Sequence, residues 1–360
     1  MASFTSPAQA LLPPFDAVVI GAGQAGLAAA YYLQQAKQQF VVLDERPAVG
    51  AVWATRYDSL RLFSPAWASA LPGLPWPGKA RRYPTKDEAA EYLRLYAHHF
   101  QLPVHTNQQV VAVTSANPGF GVHTADGKQY HTRRLIVCTG PYGTPWVPDF
   151  SQQLPAVVQQ LHSSAYRRPA QLAGSGPVAV VGSGNSALQI AADLAATNRE
   201  VYVAFDDATP AMPNNSAMWV LLLGSRLLQA SRTSPVGRLM RSQPEPVVSA
   251  DIQRLRHLPT AHFIGRAQSA TPAGQLQGVR STTPVLEGVV WATGFRPNYS
   301  WLQVPHAIGS DGQPRQERGL SPVPGLAFLG LPWLRSRRSA LMGGAAADAR
   351  YVVTKLLTTT

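Results

Sequence analysis

The sequence carries two copies of one local pattern, and that pattern restricts the fold more than any bulk property. Gly21-Ala22-Gly23-Gln24-Ala25-Gly26 follows the apolar run Ala17-Val18-Val19-Ile20, and Gly182-Ser183-Gly184-Asn185-Ser186-Ala187 follows Val178-Ala179-Val180-Val181. Each leads into an alanine-rich stretch that reads as a helix. Strand, tight glycine turn and helix N-terminus make a dinucleotide-binding unit. The first glycine forms the turn, the second lets the backbone approach a pyrophosphate, and the third position keeps helix and strand close. In the first unit, the strand Phe40-Val41-Val42-Leu43 ends at Asp44, where a carboxylate can accept hydrogen bonds from ribose hydroxyls; Glu45 is the alternative. In the second unit, residues 200–205 form the matching strand. Two such turns in one chain imply two dinucleotides, with electrons passing between them.

The bulk numbers agree with this. A chain of 360 residues that is 45% hydrophobic is long enough for two cored domains. The formal net charge of +12 raises the question of nucleic acid. The arginines are scattered, however, and the cluster Arg335-Ser336-Arg337-Arg338 has no nucleic-acid motif beside it, so a solvated basic surface that attracts phosphate-bearing cofactors is expected instead. The single cysteine, Cys138, leaves no internal disulfide, zinc cluster or CxxC pair, and its apolar setting marks it as a core residue. The nine histidines show no metal-ligand spacing, so no metal site is expected. The first residues carry no basic leader, and no apolar run reaches the roughly 18 residues of a membrane helix; the nearest, residues 217–224, stops at Ser225-Arg226. A cytoplasmic protein without a membrane span is expected, and a homodimer is compatible with it.

Thr85-Lys86-Asp87-Glu88 is a capping box that opens a helix with Ala89, Tyr92, Leu93, Tyr96 and Phe100 on its core face. Short strands are expected near 110–113, 121–123 and 135–139, irregular or helical chain over 206–256, a strand ending in a turn over 288–294, another strand at 326–329, and a final helix from about Ser339. The second unit thus lies inside the first. The expected architecture is α/β, with two Rossmann-like dinucleotide-binding domains: residues 1–170 and 286–360 form the first, and residues 171–285 form the second.

The order of landmarks resembles the flavin-containing monooxygenases, class B flavoproteins that include compact bacterial members and plant YUCCA enzymes. The landmarks are the two fingerprints, Gly50-Ala51-Val52-Trp53, Asp58-Ser59-Leu60-Arg61-Leu62, Tyr83-Pro84-Thr85-Lys86, Val137-Cys138-Thr139-Gly140 and Trp291-Ala292-Thr293-Gly294-Phe295-Arg296-Pro297. The resemblance places FAD on the first fingerprint, with Gly50, Val52, Trp53, Phe63, Val111, Thr139 and Gly140 around it. It places NADPH or NADH on the second, with Thr293, Gly294 and Phe295 where the chain crosses between domains. His162 and Tyr166 match the family's linker signature, while Ala156 and Val158 depart from its phenylalanine and glycine; His162 is therefore read as a linker marker, not an acid or base. Many members hold an asparagine beside the flavin. Here Phe63 or Ser64 takes that place, and phenylalanine donates no hydrogen bond.

The activity so implied is NAD(P)H-driven transfer of one oxygen atom from O2, by way of an oxygen adduct at flavin C4a, to a sulfide, an amine or a ketone. The Phe63 departure keeps open a flavin or quinone reductase without oxygenation; a non-enzymatic redox sensor is the third reading. Phe205-Asp206-Asp207 at the end of the second unit's strand disfavours a 2′-phosphate, so NADH use at least comparable to NADPH is expected, although Arg226, Arg232 and Arg238 could fold back. Arg56 and Asp58 are the polar groups nearest the flavin in sequence, and no catalytic side chain is assigned. Pocket walls are expected around Trp67, Trp76, Trp219 and Trp333.

Overall fold

The computed structural model describes residues 15–358. The expectation of no basic leader, and the last two residues of the chain, lie outside them. The first glycine turn sits at the centre of an eight-stranded sheet. Phe15–Ile20 pairs in parallel with Phe40–Leu43 on one side and Gln129–Val137 on the other. Val104–His105 extends the sheet beyond Phe40–Leu43. Phe120–Thr124 and Val110–Ser115 continue it by antiparallel pairing beyond Gln129–Val137, and Leu302–Gln303 ends that side. The late strand Leu326–Phe328 returns to pair with Gln129–Val137. The central strand is apolar on both faces because helices cover one face and the meander covers the other: Ala17 and Val19 pack with the helices Gln24–Gln35, Lys86–His99 and Ala345–Thr358, while Val18 and Ile20 pack with Phe120, Val122 and Leu302.

The second sheet is wholly parallel, in the order Ala261–Phe263, Val201–Ala204, Val178–Val181, Gly288–Trp291, Gln159–His162. Its two last strands lie outside residues 171–285, so this sheet gathers chain from both flanks of the expected insert. The helix Asn185–Ala195 buries Leu188, Ile190, Ala191 and Leu194 against it.

Local chemistry explains where elements start and stop. The Thr85 side chain accepts from the Glu88 N–H, and the Glu88 carboxylate accepts from the Thr85 N–H at 2.8 Å, so the capping box forms as read. Tyr92 and Tyr96 are fully buried, and their hydroxyls donate to the carbonyls of Leu74 and Pro72 at 2.7 and 2.6 Å. The strand expected over 135–139 ends at Val137, and the Cys138 carbonyl turns toward the first glycine loop. The final helix begins at Ala345, not Ser339. Two 3-10 turns, Arg337–Ala340 and Met342–Gly344, precede it, and Gly343 and Gly344 lie so close to the Ala68 and Arg338 carbonyls that a Cβ would sit 2.1 and 1.8 Å from them. Residues 206–256 contain three helices, Ser216–Gly224, Pro235–Ser242 and Ser249–Arg256.

Candidate active site

Both glycine turns are built alike. Gly21 has φ +101°, and a Cβ there would meet the Cys138 carbonyl oxygen at 2.7 Å; Gly182 has φ +150°, and a Cβ there would meet the Ala292 carbonyl oxygen at 2.2 Å. In each unit the neighbouring strand is tied in just past its end: Cys138 N–H donates to Ile20 O at 2.7 Å, and Ala292 N–H to Val181 O at 2.7 Å. The first glycine of each turn is thus fixed by backbone on one side. The second glycine is not: a Cβ on Gly23 or Gly184 would find nothing within 4 Å. These two residues are the N-caps of Gln24–Gln35 and Asn185–Ala195, with no side-chain cap and no acidic residue in the first turn. Unfilled space before an uncapped helix N-terminus is the setting that accepts a pyrophosphate. Gln24 and Ala25, like Asn185 and Ser186, supply first-turn backbone N–H groups.

The third position differs. A Cβ on Gly26 would lie 1.8 Å from the Gly21 carbonyl oxygen, whereas Ala187 keeps its methyl, fully buried. The strand ends differ as well. Asp44 Oδ2 accepts from Ala22 N–H at 2.6 Å and Oδ1 from Arg46 N–H at 2.8 Å, so the carboxylate braces the first loop. Glu45 is instead paired with Arg46 at 3.3 Å on the surface. In the second unit the direction reverses: Ser183 Oγ accepts from the Asp206 N–H at 2.8 Å. Asp207, beside it, faces Arg280 at 2.7 Å and Arg256 at 3.7 Å. These are the arginines that approach the strand end; Arg226, Arg232 and Arg238, the candidates from sequence, make no ion pair there. The Asn185 side chain accepts from Val248 N–H at 2.9 Å and holds the following loop.

The units meet where the chain crosses between them. Past Thr139-Gly140 and Thr293-Gly294, the segments Thr144–Pro145 and Phe295–Arg296 pair as a short antiparallel ribbon. Trp146 N–H donates to Gly294 O at 3.0 Å, and Thr293 Oγ1 donates to Trp146 O. Gly140 and Gly294 have φ of +72° and +88°, and the space a Cβ would enter is open at both. His162 packs edge-on against Phe295 at 4.9 Å. Its Nε2–H donates to Gly294 O at 2.9 Å, and Nδ1 accepts from Ser164 N–H at 3.1 Å. Burial lowers its pKa, with the nearby Arg56 charge adding to that effect. Both ring nitrogens are engaged and the ring is neutral, so it fastens the crossing.

Two residues that the sequence did not assign stand at this junction. The Arg56 guanidinium lies 4.9 Å from the Tyr142 ring centre and 6.0 Å from that of Phe295, with no carboxylate partner among the described residues, and burial lowers its pKa. Gln189, on the second unit's helix, joins the first unit's loop: its Oε1 accepts from Tyr57 Oη–H at 3.1 Å and its Nε2 donates to Arg61 O at 3.2 Å. Its position one turn beyond Asn185 is the one signal the sequence held. Asp58 bridges Arg168 at 3.0 Å and Lys86 at 3.7 Å, again across the seam.

The remaining residues fall around the first loop. Gly50, at φ +81°, touches the Ala90 carbonyl closely enough that a Cβ would sit at 2.4 Å; this fixes the short helix Ala51–Ala54 that carries Val52 and Trp53. Trp53 Nε1 is a buried donor without a hydrogen-bond partner among the described residues, a group that calls for an acceptor. Val111 is 45% exposed at a bulge in the ladder between Val110 and Ala112, so its backbone stands outside the regular pairing. Phe63 is exposed and stacks on Trp219 at 6.5 Å, and the Ser64 hydroxyl is buried against that of Ser69 at 2.8 Å. Trp76 is not a pocket wall: it is buried and stacks on Tyr92 at 4.2 Å. Among the described residues no His, Cys, Asp or Glu cluster could hold a metal, and no helix is long and apolar enough to cross a membrane.

The open glycine faces, the uncapped helix N-termini and the unpartnered Trp53 donor fit two dinucleotides. Comparison with known proteins agrees. The pyridine nucleotide-disulphide oxidoreductase family model matches residues 18–230. The uncharacterized oxidoreductase CzcO-like of Geobacillus kaustophilus is 39% identical over 354 residues, covering 95% of this chain and 98% of its own. The flavin-containing monooxygenase from Stenotrophomonas maltophilia is 30% identical, with a TM-score of 0.78, over 96% of this chain and 99% of its own. The probable indole-3-pyruvate monooxygenase YUCCA1 of Arabidopsis thaliana is 25% identical over 86% of this chain and 83% of its own. The chain is an oxidoreductase that belongs to the pyridine nucleotide-disulphide oxidoreductase family and, within it, to the flavin-containing monooxygenases.

Proposed function

We propose that the protein holds FAD on the Gly21–Gly26 turn and NADPH or NADH on the Gly182–Ala187 turn, and uses them to transfer one oxygen atom from O2 to a small soft nucleophile, a sulfide or amine, or to a ketone. Bound there, FAD would supply the redox chemistry as a two-electron acceptor for hydride from a nicotinamide. The chain supplies placement. Asp44 stiffens the first loop through Ala22 N–H, and the uncapped helix N-terminus behind Gly23 would hold the pyrophosphate. Gln189, Tyr57 and the ribbon at Phe295–Arg296 hold the second unit against the first, an arrangement that would keep water from between the two bound rings.

The observation that carries this reading is the pair of open glycine faces in a chain with a single cysteine. Cys138 is fully buried and its thiol pKa is pushed far up by burial, so no dithiol can relay electrons as the family name suggests. Electrons reaching the flavin must leave to a diffusing acceptor. The similarity to a flavin-containing monooxygenase and to indole-3-pyruvate monooxygenases supports oxygen as that acceptor.

One observation favours the reductase as a second reading. The Ser64 hydroxyl is engaged by Ser69 and Phe63 carries no donor, so the segment that holds an asparagine in many relatives offers the flavin edge no side-chain amide. Counting NAD(P)H consumed against peroxide released and sulfoxide formed from methyl phenyl sulfide separates the two. Sulfoxide accounting for a substantial share of the coenzyme supports oxygenation. Peroxide or reduced quinone accounting for all of it supports the reductase.

The coenzyme reading is that NADH serves at least comparably to NADPH. Asp206 and Asp207 stand at the strand end, and Arg280 and Arg256 offset the charge of Asp207. A preference for NADPH above about a hundredfold, or ~2.7 kcal/mol, would contradict it.

A further inference from the structure

The surface over residues 208–244 differs from the rest of the molecule. The helix Ser216–Gly224 is apolar from Ala217 to Leu223, and a helix of that composition is ordinarily buried all round. Here Trp219 alone is buried; Leu222 and Leu223 are half-buried with Tyr83, Met240 and Leu341. Val220 and Leu221 are each 62% exposed, on the opposite side. The 3-10 turn Leu227–Gln229 and the helix Pro235–Ser242 add exposed Leu227, Val236 and Leu239 to this segment, and Met240 of that helix shares one apolar cluster with Leu222 and Leu223. Charge along the segment has one sign. From Ala208 to Pro244 there are four arginines, Arg226, Arg232, Arg238 and Arg241, and no acidic residue. None of the four makes an ion pair among the described residues, and Glu245, just beyond, is taken by Arg337.

We propose that this two-helix face docks the enzyme on an anionic bilayer surface, Val220, Leu221, Val236 and Leu239 entering the interface while the arginines meet lipid phosphates. Exposed aliphatic tips beside unpaired arginines are the composition of a helix that lies in a membrane surface. A second copy of the chain fits less well, because a two-fold contact would set these arginines against themselves with no acid to answer them. A protein partner fits less well too, since valine and leucine are under-represented among interface anchors. The docked face lies one ring contact from the active-site segment, through Trp219 on Phe63, so docking would bring apolar substrates to the pocket mouth. The proposal does not depend on which acceptor the flavin uses.

Sedimentation of the flavin-loaded enzyme with sucrose-loaded vesicles tests it. The enzyme is expected to pellet with equimolar phosphatidylcholine and phosphatidylglycerol and to remain in solution with phosphatidylcholine alone. Leu221→Ser with Leu239→Ser, all arginines kept, is expected to weaken partition about tenfold, and Arg238→Glu with Arg241→Glu to abolish it. Arg318→Glu with Arg350→Glu, outside the segment, is expected to leave it intact. Unchanged flavin content and NAD(P)H oxidation in every variant show that each is folded. Absence of vesicle binding overturns the proposal. So does full binding by the leucine variant, or equal loss in the Arg318 and Arg350 variant, either of which marks adsorption by net charge. So does a solution dimer that Leu221→Glu splits, which assigns the face to a second copy.

Discussion

The two nucleotide units share one turn and differ in how they tighten it. Both press the first glycine against the carbonyl that ends a neighbouring strand, and both leave the second glycine open. The first unit then closes further: Gly26 permits a contact that no methyl could, and Asp44 ties the loop with a charge-assisted hydrogen bond. The second unit keeps a methyl at Ala187, and its strand end is bound by a neutral serine while the adjacent carboxylate turns to two surface arginines. The difference lies in what stiffens each loop: a carboxylate and a methyl-free contact in the first unit, a serine hydroxyl and a buried methyl in the second.

The largest expected effect comes from swapping the third positions. Gly26→Ala places a methyl 1.8 Å from backbone oxygen, so helix and strand must separate. A cost above the roughly 1–3 kcal/mol of ordinary overpacking is expected, with colourless protein and a lower melting temperature. Ala187→Gly should cost about 1 kcal/mol through helix propensity and the lost methyl, with flavin content unchanged. Equal effects from the two would break the comparison. Next come the open glycines. Gly184→Ala meets nothing in the fold, so the melting temperature should hold while KM for the nicotinamide coenzyme rises about tenfold or more. Gly23→Ala should likewise fold but lose FAD on dilution. Asp44→Asn removes a charged acceptor and should weaken flavin retention by about 1.5–3 kcal/mol, read from the flavin dissociation constant.

These contrasts show what was legible in sequence. The turns, the capping box, the central strands and the nested order of the units follow from spacing alone, since glycine and β-branched patterns act locally. Gln189, Arg256 and Arg280 were not legible, because their roles depend on contacts between segments far apart in the chain; Arg56 was legible as a polar group near the flavin, but not as a cation against Tyr142 and Phe295. Arg226, Arg232 and Arg238 looked available in sequence for a phosphate. In the fold none of them pairs with Asp206 or Asp207, whose neighbourhood is taken by Arg280 and Arg256; Arg226 and Arg238 are exposed and Arg232 is half-exposed. Trp76 read as a pocket wall and is core, a distinction that only its stacking on Tyr92 could make.

Smaller effects sharpen the same comparison. Arg280→Ala should leave Asp207 less compensated and shift the kcat/KM ratio a few-fold, roughly 1 kcal/mol, toward NADH; a shift toward NADPH would contradict the assignment. The smallest is a pH effect. His162 is held neutral, with its folded pKa below the ordinary 6.5. Below 6.5 the unfolded chain binds a proton that the folded chain refuses, so stability falls as pH drops from 6.5 toward the folded pKa and is level above about 7. Denaturant melts across that window should show the slope, and His162→Gln should remove it.

The central claim is that a nicotinamide on the second turn faces a flavin on the first. Anaerobic mixing of the flavin-loaded protein with NADPH or NADH tests it most directly. Bleaching of the visible flavin band at a rate that saturates with coenzyme, and that slows when the transferred hydrogen is deuterium, is the predicted result. A flavin that stays oxidised with both coenzymes, while each is shown to bind, would contradict it.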